Sequence, residues 1–196
     1  IKGFMVILYS HIMEKIDKKT TKIRSWLMLT GFFLVLLILS RFLVEVPNFT
    51  PTISLIIFAS LFIRNNYAVM LVVVCSQLIS DYFLGFYQSM FFVYISYILI
   101  GICSLYFLKK ISYLPVLLIS IIAPVFFYIV TNFGVWFTMD LYAPTSQGLI
   151  NSYIAGIPFL KSSILSTIIY SSTIYIICKY LVLVDFKKFQ TIKKID

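Results

Sequence analysis

The apolar segments of this sequence contain only a few charged or strongly hydrogen-bonding side chains. The spacing of these residues suits ligand binding better than catalysis. Gln77 and Asp81 are four residues apart, as are Arg41 and Glu45, so each pair shares one face of a helix. Such a pair holds a small molecule by charge and hydrogen bonds. Structural roles are equally open: Asp81 caps a helix or pairs with Arg41, and Arg41 pairs with Glu45 or meets a charged group of a ligand.

The sequence lacks the motifs of the common catalytic and metal sites. It has no serine nucleophile motif, no glycine-rich phosphate loop and no metal-ligand cluster. Its one histidine, His11, lies near the start and is interpreted as solvated. Cys75, Cys103 and Cys178 form no C-x-x-C pair. Packing is the favoured role for each cysteine, with Cys75 as a less favoured ligand for a soft metal. We therefore expect no enzyme activity and no cofactor.

The composition assigns the class of protein. Hydrophobic residues make up 61% of the 196 residues and charged residues only 12%, against about 25% charged in an average soluble domain. A soluble core of this size buries too little surface to hide so many apolar side chains. The prediction is an all-α integral membrane protein, and it excludes a soluble enzyme, a disordered chain and a secreted disulfide scaffold.

Six apolar segments are predicted to be transmembrane helices, since about 20 apolar residues span a bilayer. The segments lack the period-two alternation of a membrane β-barrel. The second is the shortest, and it is expected to begin within the membrane level after Pro51. The predicted helices are Trp26–Val44, Thr52–Ile63, Tyr67–Phe86, Met90–Leu108, Tyr113–Met139 and Pro158–Val184.

The distribution of basic residues predicts the orientation. With six crossings, all of the 16 Lys and Arg residues except Arg41 and Lys161 fall on the side of the two termini. The positive-inside rule then places both termini in the cytoplasm, and the inner membrane of a bacterium is the expected location. The net charge of +9 is expected to meet anionic lipid rather than nucleic acid.

Three regions follow from this topology. Residues 1–25 form a basic cytoplasmic segment, of which 1–12 are expected to precede a natural start at Met13. Residues 26–184 form the membrane domain, and residues 185–196 form a basic cytoplasmic tail.

Polar, proline, glycine and tryptophan residues concentrate at the predicted outer side. Each has a structural interpretation as a helix stop, a cap or part of the aromatic belt. Their convergence favours a binding site, and the fifth helix adds a stripe of polar and aromatic residues at a spacing of four, interpreted as a cavity wall. The candidate binding residues are Arg41, Glu45, Asn48, Phe49, Thr50, Asp81, Tyr82, Asn132, Trp136, Tyr142 and Thr145.

Several short motifs resemble those of a small, largely uncharacterised family of six-helix bacterial membrane proteins. That family is similar in size and layout to the S-components of energy-coupling-factor transporters, which capture vitamins. The motifs are Asn48-Phe-Thr-Pro51, Ser80-Asp81 with Gly85, Asn132-Phe-Gly-Val-Trp136, Tyr142-x-Pro-Thr-x-x-Gly148 and Ile157-Pro-Phe159.

The resemblance implies a pocket near the outer surface for a small vitamin-like micronutrient, roofed by the loops after helices 1, 3 and 5. It also implies an energising partner made of a membrane scaffold and two ATPases. The first helix lacks the alanine-x-x-x-alanine pattern that often contacts that scaffold. The alternatives are a non-transport membrane scaffold whose outer rim binds another protein and, more weakly, an intramembrane enzyme using Asp81 and Asp140 as paired acids.

Overall fold

Long apolar runs fold into helices because a helix satisfies its own backbone hydrogen bonds where water is absent. The structure is a computed structural model that describes residues 26–42, 46–109 and 112–192, with side chains as far as Tyr180. The all-α prediction is confirmed for these residues, which form six helices and no strand. The helices are α1 (Trp26–Phe42), α2 (Thr52–Ile63), α3 (Asn66–Leu84), α4 (Met90–Phe107), α5 (Tyr113–Thr138) and α6 (Ser146–Ile192).

The short helix α2 forms the centre of the bundle. Every residue of it except Phe62 is buried, and it contacts α3, α4, α5 and α6. At one end Ser40 of α1 is hydrogen-bonded to Thr52, 3.0 Å apart. A helix that is apolar on all sides belongs inside a protein, and α2 follows this rule.

Consecutive helices run in opposite directions, which places the connections at two ends of the bundle. At one end, which we call the Arg64 end, the Arg64 guanidinium donates to the carbonyl oxygens of Leu108 and Lys109 at 3.1 and 3.3 Å. At the other, the Asp81 end, α1 meets α2 and the C-terminus of α3 meets the N-terminus of α4. The two basic turns thus share one end.

Four helices, α3 to α6, are long and apolar enough to cross a membrane. The helices α1 and α2 are apolar but shorter. The chain therefore has the character of a membrane protein. The bounds of the second helix match the sequence prediction, and those of α3, α4 and α5 differ from it by one or two residues.

The start of α6 differs from the prediction. The sequence predicts a helix over Pro158–Val184, whereas α6 begins at Ser146. Only residues 139–145 remain between α5 and α6, instead of a long connection. The reason is that the polar segment packs along α5, where the Ser152 hydroxyl donates to the Asn132 carbonyl at 2.8 Å. Pro158 is tolerated inside the helix on an exposed face.

Replacing Gly101 with valine should lower the stability of the bundle. A Cβ atom at Gly101 would lie 2.8 Å from Val69 Cγ1 and 3.4 Å from Ile56 Cγ2, so α4 would have to move from α2 and α3. Overpacking of this kind costs about 1–3 kcal/mol. Unfolding of the purified protein in SDS titrations measures the change. Gly31→Val is the matched control, since nothing lies within 4 Å of its Cβ position. Equal unfolding midpoints for the two variants would contradict the packing described here.

Candidate functional site

One charged cluster lies inside the bundle at the Asp81 end. The Arg41 guanidinium donates to Gln77 Oε1 and forms an ion pair with Asp81 Oδ1. The Tyr94 hydroxyl donates to Asp81 Oδ2 at 2.6 Å. The side chain of Asp81 is fully buried and that of Arg41 is 17% exposed. We call these four residues the Arg41–Asp81 cluster, and they join α1, α3 and α4.

The cluster follows from helical spacing on α3. Gln77 and Asp81 are one turn apart and both are buried, so they present their side chains to the same neighbour. Arg41 contacts both side chains. Of the two structural roles open to Asp81, capping a helix or pairing with Arg41, the structure shows the pairing. The amide nitrogen of Gln77 has no hydrogen-bond partner among the described residues. A buried donor left unpaired costs roughly 1–3 kcal/mol, so the cluster has one unsatisfied donor.

Tyr87, in the turn between α3 and α4, borders the cluster. Burial and the nearby Asp81 carboxylate raise the pKa of the Tyr87 phenol above its ordinary value, and Arg41 opposes this effect only in part. The phenol therefore stays neutral and remains a hydrogen-bond donor beside the ion pair.

A second group of candidate residues surrounds a small cavity, the Asn48 cavity. Its volume is about 20 Å³, which is room for a single water molecule. Asn48 lies on one side and Asn132 on another. The Asn132 amide nitrogen already donates to the Tyr128 carbonyl of its own helix at 2.9 Å. The lining residues are Asn48, Pro124, Phe127, Tyr128, Thr131, Asn132, Phe159, Leu160 and Ser163.

The loop that leads into α2 covers this cavity. Its backbone turns at Asn48, which has a left-handed φ of 59°. The Ser166 hydroxyl donates to the Asn48 carbonyl at 3.3 Å, and the Phe49 ring lies 6.0 Å from the ring of Tyr170. Thr50 donates to Thr52 at 3.1 Å. Among the described residues, these contacts join the loop to α6 and to the start of α2.

The third group of candidates lies at the turn between α5 and α6. Trp136 Nε1 donates to the Ala143 carbonyl at 3.0 Å. The Thr145 hydroxyl accepts from the Gly148 amide at 3.2 Å, which is the geometry of a helix cap. Tyr142 is half-buried in the same turn, and Asp140 is exposed there. In this arrangement the polar atoms of Trp136 and Thr145 stabilise the turn itself.

The structure does not bring every candidate to these three places. Tyr82 is 73% exposed and its ring meets that of Phe83, 5.2 Å away, outside the cluster. Glu45 lies outside the described residues. Cys75 is half-buried, and within the described ranges no three or more His, Cys, Asp and Glu side chains are grouped as metal ligands would be.

Comparison with known proteins gives one match. Residues 20–190 match a family of unknown function, DUF6580. The chain belongs to this family. No curated protein and no solved structure matches it.

Sequence reasoning missed Tyr94 of the cluster in this DUF6580 protein, and Tyr87, which borders the cluster. The sequence contains a signal that could have identified Tyr94. Counted in residues, Asp81 and Tyr94 are almost equally far from the centre of the turn between α3 and α4. Residues placed in that way meet across an antiparallel helix pair. Nothing in the amino-acid types alone separates Tyr94 from the other 13 tyrosines.

A concavity larger than the Asn48 cavity lies elsewhere on the DUF6580 protein. A groove of about 400 Å³ runs along α4 and α5 and has a wholly apolar lining apart from Cys103. None of the candidate binding residues borders it. Without hydrogen-bonding groups to orient a polar ligand, the groove has the character of a surface that lipid chains cover.

Arg41→Gln, Asp81→Asn and the double variant should show strong coupling. Removing the guanidinium leaves a buried carboxylate without its counter-charge, which costs about 3–5 kcal/mol. The double variant should lose less stability than the sum of the two single variants, by roughly 0.5–3 kcal/mol for groups in direct contact. Thermal unfolding in detergent measures all three. Strictly additive losses would show that the pair does not interact.

Proposed function

We propose that this protein is a membrane subunit that captures a small vitamin-like micronutrient near the outer face of a bacterial cytoplasmic membrane. The observation that carries the proposal is the Arg41–Asp81 cluster among apolar helices. A charged side chain costs about 2.5–3.5 kcal/mol at the centre of a membrane helix and less towards its ends, where Arg41 and Asp81 lie, and such residues usually serve a ligand or an ion. The unpaired Gln77 amide adds a donor for an oxygen atom of a ligand.

The proposal includes six crossings with both termini in the cytoplasm. Its support is the alternation of helix directions, with Arg64 and Lys109 at one end and the Arg41–Asp81 cluster at the other. With 12 residues, α2 is roughly 18 Å long and falls short of the hydrocarbon thickness of about 30 Å. Because it is enclosed by protein, its ends need not reach the surface of the bilayer.

Capture requires movement of the loop at residues 46–51, which enters the bundle as far as Ser166 of α6, whose hydroxyl donates to the Asn48 carbonyl. The Asn48 cavity of about 20 Å³ is far smaller than the roughly 300–1,000 Å³ of ligand pockets. In our proposal the structure is the closed form, and the loop at residues 46–51 leaves α6 to admit the ligand. Phe49 and Trp136 then pack on an amphiphilic ligand, while Asn48, Asp81, Asn132 and Thr145 orient it.

Transport needs a source of energy outside this sequence. The sequence has no glycine-rich phosphate loop of the ATPase type, so the energy for uptake comes from a partner or an ion gradient. An energising scaffold with an ATPase module is the partner that we propose, by resemblance alone.

A second candidate function is a membrane scaffold whose outer rim binds another protein. The observation that favours it is that Asn132, Trp136 and Thr145 are engaged within the chain rather than directed into a pocket. A scaffold needs no loop movement.

Native mass spectrometry of the protein, purified gently from its own host, tests the proposal. We expect a bound small molecule in the wild type and its loss in Asp81→Asn, because the substitution removes the negative charge that holds Arg41. Asp140→Asn is the matched control. It makes the same chemical change at an exposed carboxylate and should keep the ligand.

Two results would contradict capture. One is a folded wild type that carries a partner chain and no small molecule, which supports the scaffold. The other is equal retention of a ligand by the wild type and by folded Asp81→Asn, which would show that the Arg41–Asp81 cluster is not part of the binding site.

A further inference from the structure

From Ile154 to Ile169, one outward face of α6 is apolar except for a single charge. Its residues recur at intervals of three or four, so they lie on one side of the helix. Leu165 and Ile169 are 54% and 44% exposed, and the others are exposed as well. We call this face the Lys161 stripe; it consists of Ile154, Pro158, Lys161, Leu165 and Ile169.

Contacts with α5 give the depth of Lys161. Ser152 is bonded to Asn132 near one end of the pair, and the rings of Tyr175 and Tyr113 are 5.3 Å apart at the other. Between them, residues 159–163 of α6 line the same cavity as residues 124–132 of α5, which include the middle of that helix. Lys161 is therefore level with the centre of a helix long enough to span a membrane, and roughly 22 Å along α6 from its first residue.

The ammonium group of Lys161 has no counter-charge among the side chains that the structure describes, which extend to Tyr180. The ion pair found there joins Arg41 to Asp81, and Asp140 lies beyond the end of α5 at the Asp81 end. A lysine side chain extends over little more than one helical turn, about 5 Å. The bilayer centre is about 15 Å from either edge of the hydrocarbon, so the ammonium group at this depth does not reach the edge. An unpaired charge at this depth costs about 2.5–3.5 kcal/mol.

Pro158 adds a second unsatisfied group to the same face. Proline has no N–H, so the carbonyl of Ile154 lacks its usual donor within α6. Both Ile154 and Pro158 are exposed on the stripe. A surface of lipid chains satisfies neither a free carbonyl nor an ammonium group, whereas a polar side chain on a neighbouring helix satisfies either.

We propose that the Lys161 stripe is the docking face for a membrane-spanning helix of a different protein, and that this helix places a carboxylate opposite Lys161. Charge complementarity selects this partner. A second copy of the chain does not fit, because among the side chains that the structure describes its carboxylates are Asp81, which is buried and paired, and Asp140, at a turn. The inference rests on the membrane placement proposed above and is independent of the captured ligand.

Zero-length carbodiimide coupling in native membranes tests the proposal on the full chain. The reagent joins an amine to a carboxylate only when the two are in contact. We expect peptide mass spectrometry to find an amide between Lys161 and an Asp or Glu inside an apolar segment of another protein. On native gels the complex should fall at least tenfold in Lys161→Leu and persist in Lys161→Arg. Lys179→Leu is the control for depth and should leave the complex intact, since Lys179 is exposed on the same side of α6 but five turns away from Lys161.

Three results would overturn the proposal. The complex could be equally abundant in Lys161→Leu and in the wild type. Lys161 could be coupled to a second copy of this chain. Finally, a membrane-impermeant amine reagent could label Lys161 in intact membranes as fast as in the purified chain, which would mean that the ammonium group reaches water or lipid phosphates. None of these results affects the Asp81 ligand assay, so the two proposals fail separately.

Discussion

The carboxylate of Asp81 imposes the strictest constraint on this bundle. It is fully buried, and a buried carboxylate persists in its charged form only with a counter-charge and hydrogen bonds around it. Arg41 supplies the charge and Tyr94 a hydrogen bond. These partners come from α1 and α4, so satisfying one side chain of α3 fixes three helices relative to one another. The contact between Ser40 and Thr52 then ties the start of α2 to the same point.

The remainder of the structure depends on close approach of helix backbones. A Cβ at Gly134 would lie 2.4 Å from the Phe92 ring, and one at Gly156 would lie 2.5 Å from Asn132 Oδ1. Small residues at helix contacts serve this purpose in membrane proteins, where lipid offers no hydrophobic driving force between helices. The long pair α5 and α6 is thereby held against α4, and its tip carries the Trp136 turn.

The sequence predicted much of this where local rules decide the outcome. The bounds of α2 were recoverable because Pro51 stops the preceding segment, and Asn65 caps α3 by accepting from the Ala68 amide at 3.0 Å. The start of α6 was not recoverable, since its first turns are polar and are helical only because they pack on α5. Tyr82 failed as a companion of Asp81 because adjacent helical residues point about 100° apart. The likeness to vitamin-capturing subunits stays a prediction, because it concerns a ligand that helix packing does not specify.

The position of α2 at the centre has a consequence for biosynthesis. The faces of α2 are covered by helices that the ribosome makes later; its Ser54, for instance, donates to the Thr167 carbonyl at 3.1 Å and is bonded to Ser171. A segment of 12 residues is also too short to lodge stably across a bilayer unaided. The second helix therefore reaches its final place only after the last one has been inserted, and the order of assembly cannot follow the order of synthesis.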